Sequence, residues 1–132
     1  MAPKTPIEVR GILLFEKASC VDNIWTLHNA ICSLVEVTAP VHEIFVYTQL
    51  AAGVGTYDLR IQLRAFDSDF VIGLSESHRV QFPDDRSVVL EQVFRLSTIR
   101  FPRSELYEFR LIANHKDVAG GVYYLSVQLA KD

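Results

Sequence analysis

The chain has 132 residues, a length that fits one domain. Leu, Ile, Val and Phe supply 46 of them, well above the roughly 20% below which chains stay disordered, and the formal net charge is only −3. No apolar run approaches the roughly 20 residues of a membrane-spanning helix, so a disordered tail, a disulfide miniprotein, a membrane protein and a highly basic nucleic-acid binder are excluded.

Residues 1–6 read as a flexible lead, and 7–130 as one domain. The first apolar run, Ile12 to Phe15, is too short for the core of a signal peptide and is flanked by charge. A cytoplasmic location is therefore expected. Ile7 to Phe15 and Ile24 to Val37 are long, β-branched and without helical caps, and Asp22-Asn23 can turn between them. In such a hairpin Cys32 lies about eight positions up the far strand from Cys20, roughly 26 Å away at about 3.3 Å per residue. A disulfide needs Cα atoms within about 7 Å, so two free thiols are expected, each a small buried filler.

Ile44 to Leu50 carries bulky groups on both faces, as a partly covered strand would. Ala52-Gly53-Val54-Gly55 then supplies a turn. Tyr57 to Ala65 alternates without fault: odd positions are apolar or aromatic, even positions polar, so one face enters a core. Asp67-Ser68-Asp69 turns the chain into a strand from Val71 to Phe82, and Pro83-Asp84-Asp85 turns it again. Val88 to Leu96 would suit a helix, but the extended continuation to Phe101-Pro102 favours a strand. Tyr107, Phe109, Leu111 and Ala113 repeat the alternation, as do Tyr123, Leu125, Val127 and Leu129, with turns at His115-Lys116-Asp117 and Gly120-Gly121. The regular spacing predicts an all-β chain, a single antiparallel β-sandwich of about eight strands.

Reactive residues form no constellation. His28, His42, His78 and His115 are scattered, with no zinc spacing, nucleophile elbow or phosphate loop, so no catalytic residue, metal or cofactor is expected. Asp67, Asp69, Asp84 and Asp85 could serve a calcium-binding loop, but one strand separates the two turns by over about 30 Å. Arg60, Arg64 and Arg110 share wet faces; pairing with Glu91 and Glu108 is the simpler account than a phosphate patch, and no aromatic interleaves them for nucleic acid. Trp25, beside a turn, could stack on a sugar or lid the core. Phe45, Tyr47 and Tyr124 fall off the core face of their strands and would mark a contact patch if exposed.

Several segments in order resemble a bacterial family of small all-β proteins known as a domain of unknown function. They are Ile12-Leu13-Leu14-Phe15-Glu16-Lys17-Ala18 before Val21-Asp22-Asn23, the run from Leu27 to Val35 with its Ala39-Pro40 stop, and Gly55-Thr56-Tyr57-Asp58-Leu59-Arg60-Ile61. Phe94-Arg95-Leu96 before Phe101-Pro102 and Tyr107-Glu108-Phe109-Arg110 complete the set. The resemblance covers most of 7–129 and implies an immunoglobulin-like or C2-like sandwich, with no catalytic or ligand residue carried over. The resulting expectation is a non-catalytic interaction module that binds a protein or self-associates, through Phe45, Tyr47 and Tyr124, without nucleic acid or membrane. A calcium- or carbohydrate-binding sandwich comes second, and a hydrolytic enzyme third.

Overall fold

The computed structural model describes residues 6–68 and 70–130; the N-terminal lead falls almost wholly outside them, as does Asp69. All regular structure among these residues is β: β1 (Glu8–Val21), β2 (Ile24–Ala30), β3 (Ser33–Val37), β4 (Val41–Ala51), β5 (Thr56–Ala65), β6 (Val71–Leu74), β7 (His78–Gln81), β8 (Leu90–Ile99), β9 (Glu105–Ala113) and β10 (Lys116–Leu129). No helix among them is long and apolar enough to cross a membrane. A four-stranded antiparallel sheet runs β2-β1-β4-β8; a six-stranded mixed sheet runs β3-β10-β9-β5-β6, with β7 also on β5. β3 and β10 pair in parallel, which the expectation of a purely antiparallel sandwich missed.

The alternation read from the sequence is what closes the core. Tyr57, Leu59, Ile61, Leu63 and Ala65 of β5 are buried, as are Tyr107, Phe109, Leu111 and Ala113 of β9. From the opposite sheet come Leu14 of β1, Ile44, Val46 and Leu50 of β4, and Phe94 and Leu96 of β8. Each large side chain removed from water contributes about 1.5–3 kcal/mol before chain entropy opposes it. Tyr107 is wholly buried although it carries a hydroxyl, because that hydroxyl donates to Arg103 O at 2.7 Å and accepts from Arg103 N at 3.2 Å. A tyrosine bonded back to the chain just upstream locks the entry to β9.

Ten strands replace the expected eight because two runs break where a side chain or a crossing intervenes. Ile24 to Val37 is not one strand. At Ile31 the chain leaves the four-stranded sheet for the six-stranded one, with Ile31 N donating to Leu14 O at 2.8 Å and Ile31 O accepting from Tyr123 Oη at 3.0 Å. Asn29, at φ 59°, starts this corner. Val71 to Phe82 also divides, at Ser75. The Ser75 hydroxyl accepts from Ile61 N at 2.8 Å, and Ser75 N donates to Ile61 O at 2.9 Å, so one residue serves both backbone groups of β5. Ser75→Ala strands the buried Ile61 N–H and is expected to cost about 1–2 kcal/mol, read as a lower urea midpoint at unchanged m.

Turn chemistry accounts for the hairpins. Asp22 and Asn23 have φ of 52° and 63°, and Asn114 and His115 have 49° and 69°, the paired left-handed geometry of two-residue hairpin loops. The β9–β10 turn thus sits one residue earlier than expected. Gly120-Gly121, expected as a turn, is instead an irregularity inside β10, where the register jumps between Asp117 and Val122.

Candidate functional site

The β1–β2 hairpin carries Cys20, Asn23 and Trp25 outside the main core, and the chain brings them beside Val89 and the first residues of β8. Together with His78 of β7 and Leu90, Glu91, Gln92 and Val93 of β8, they line a groove of about 390 Å3. That volume falls within the roughly 300–1,000 Å3 typical of small-ligand sites. Trp25 is half-buried, so part of its ring remains open to a ligand. It lids no core.

Hydrogen bonds fix the polar wall. Tyr47 of β4 donates its hydroxyl to Glu91 Oε2 in a very short contact, and Gln49 Nε2 donates to Tyr47 Oη at 3.0 Å. Burial and the neighbouring Glu91 carboxylate hold the Tyr47 phenol above its ordinary pKa, so it stays a donor at neutral pH. Gln92 is held by its backbone, whose carbonyl accepts from Thr48 Oγ1 at 2.9 Å. Its side-chain Oε1 lies 3.1 Å from His78 Nδ1. The other ring nitrogen, Nε2, stands 3.7 Å from Glu76 Oε1. The ring itself lies flat on Phe94, with centroids 4.3 Å apart and planes 18° from parallel. A core aromatic therefore sets the height and tilt of a groove residue.

Phe45, Tyr47 and Tyr124 do not make one patch. Phe45 and Tyr47 lie on the outer face of the four-stranded sheet, alternating with buried Ile44, Val46 and Thr48, and both are half-buried. Tyr124 lies on the outer face of the other sheet, 47% exposed, with its ring edge-on to Phe66 at 5.8 Å. Two sheets of a sandwich turn their outer faces away from each other, so no single partner surface unites them.

Arg64 and Arg110 are paired, with Glu108 a partner as expected and Asp117 taking the place of Glu91. Arg64 meets Asp117 at 2.5 Å, and Arg110 meets Glu108 at 3.0 Å and Asp117 at 3.8 Å. Glu91 is on the opposite sheet, bonded to Tyr47. The cysteines are free, as expected, but both are exposed, since the hairpin that bears Cys20 and the corner that bears Cys32 lie outside the core. Asp67 and Asp84 follow opposite ends of β5 and its partners, and among the described residues no group of His, Cys, Asp and Glu could hold a metal ion.

His78, Glu91 and Gln92 are the groove residues that sequence reasoning missed. The one signal available was the weak alternation over Leu90-Glu91-Gln92-Val93, where polar and apolar groups do not separate cleanly.

No family model matches the chain, and no curated protein does. Among solved structures it is similar to a glycosyl hydrolase family 2 member from Bacteroides cellulosilyticus, at TM-score 0.50 and 13% identity over 93% of this chain. A second such structure, from Bacteroides cellulosilyticus DSM 14838, gives TM-score 0.49 and 13% identity, again over 93%. The chain spans only 14% and 15% of the length of those two proteins. This likeness is one of fold: a β-sandwich that recurs as a segment of much larger chains. It overturns the expectation of a protein-binding, self-associating module, and the three aromatics that carried that expectation are divided between two faces.

Proposed function

We propose that this chain is a glycan-binding β-sandwich domain whose site is the Trp25 groove. The observation that carries the reading is the lining itself: one accessible indole beside a carboxylate, two amides and an imidazole. An indole face packs against the apolar C–H face of a pyranose ring, and fixed amide and carboxylate groups accept or donate to its hydroxyls. The fold likeness to a segment of glycosyl hydrolase family 2 members supports the same class of ligand. Binding is favoured over cleavage, because glycoside hydrolysis uses two carboxyl groups about 5–9.5 Å apart, and Glu91 is the only carboxylate among the lining residues. The exposed, unpaired cysteines support a reducing, cytoplasmic setting.

Trp25 is the single tryptophan of the chain, so its fluorescence reports the groove directly. Titration with neutral oligosaccharides (cello-, xylo-, manno- and chitohexaose) is expected to shift or quench its emission saturably. Trp25→Ala, followed by calorimetry, is expected to weaken binding at least about tenfold while leaving the melting temperature within about 2 °C, since loss of an aromatic anchor outside the core costs affinity rather than folding. An unresponsive indole across the whole panel would rule the reading out.

A further inference from the structure

We infer that the groove selects uncharged glycans and rejects anionic ones, through the carboxylate of Glu91. This rests on the glycan-binding reading above and names the class of sugar that the same site takes. Among the lining residues Glu91 is the one carboxylate, and no Lys or Arg joins it. Glu76 brings a second carboxylate, 3.7 Å from His78 Nε2, and Tyr47 is a phenol kept protonated by burial and by Glu91.

Tyr47 and Gln49 hold Glu91 in place, so the carboxylate cannot swing away from an approaching anion without breaking its hydrogen bond to the phenol. A carboxylate fixed in that manner accepts hydrogen bonds from sugar hydroxyls, while a uronate or sulfate at the same place meets a like charge. Discrimination of this kind is built from one side chain and should disappear with its charge alone.

The test compares cellohexaose, or whichever neutral hexamer of the panel binds best, with hexagalacturonate of equal length at pH 8. Wild-type protein is expected to bind the neutral hexamer about tenfold more tightly at low salt, and the ratio should shrink toward one in 1 M NaCl, where the screening length falls to about 3 Å. Glu91→Gln keeps the shape and the acceptor. It is expected to bring the ratio of the two affinities to within about twofold of one, whatever it does to the neutral hexamer's own affinity, because the charge that separates the two ligands is removed. Equal affinities in the wild type, or a preference for galacturonate, would overturn the selectivity and leave the glycan site standing. Failure of every hexamer to bind would overturn the site and the selectivity together. A preference that survives both Glu91→Gln and high salt would assign the discrimination to shape and overturn the role of Glu91.

Discussion

Phe94→Ala is expected to lower stability by about 3–5 kcal/mol, the usual cost of emptying a fully buried phenylalanine site. Phe94 has no solvent exposure and sits on β8 with its ring against His78, so deletion leaves a cavity between the two sheets and removes the platform of a groove residue. Measured against a typical total of about 5–15 kcal/mol, that is a large share, and the melting temperature should fall by roughly 10–20 °C. Differential scanning calorimetry with urea unfolding checks it. Phe94→Leu refills most of the volume and should recover more than half of the loss, yet it restores no aromatic face for His78. The two variants therefore separate core packing from groove geometry. If both melt like the wild type, Phe94 is not the packing centre that its burial indicates.

How far the sequence reveals this arrangement depends on the range of the interaction. Phe94 and Leu96 could be placed on one core face from their spacing, because alternation is a local consequence of the strand pleat. The stack on His78 could not, since it joins β7 and β8 across the junction of the two sheets, and nothing in the intervening fifteen residues encodes that approach. The same limit explains Ser75. A serine inside an apolar run looks like a tolerated polar residue, and only the position of Ile61 turns it into the point where the strand divides. Cys20 and Cys32 show the converse error: both sit in apolar stretches that suggest burial, but the hairpin and the corner carrying them lie off the core. Trp25 was legible as a residue beside a turn able to meet a sugar. Its companions Glu91 and Gln92 lie more than sixty positions away and became visible only with the fold. Phe45 and Tyr47 were correctly read as facing away from the core, whereas uniting them with Tyr124 required knowing which sheet each strand joins.

Gly53→Ala is expected to cost about 3 kcal/mol, near the upper end of ordinary overpacking penalties. Gly53 belongs to the turn between β4 and β5, and its backbone passes directly over the ring of Phe82. A β-carbon placed there would stand 2.5 Å from both Cγ and Cδ2 of Phe82 and 2.7 Å from Cε2, where carbon atoms cannot approach. The ring cannot retreat cheaply. Phe82 is 4% exposed, its other side meets Tyr57 edge-on at 5.5 Å, and Phe82 N donates to Gly55 O at 2.9 Å, which ties its backbone to the same turn. The glycine is therefore required for close approach of backbone to ring. A double-mutant cycle tests the cause: Phe82→Leu alone should destabilise by about 1 kcal/mol through lost contact area, but in the Gly53→Ala background it should recover about 1–2 kcal/mol by removing the obstructing ring. Additive effects of the two substitutions, measured by urea midpoints at equal m, would mean that the alanine strains the turn by some route other than Phe82. Strong coupling would show that the turn and the close of β7 pack as one unit, joined through the close approach of Gly53 to Phe82.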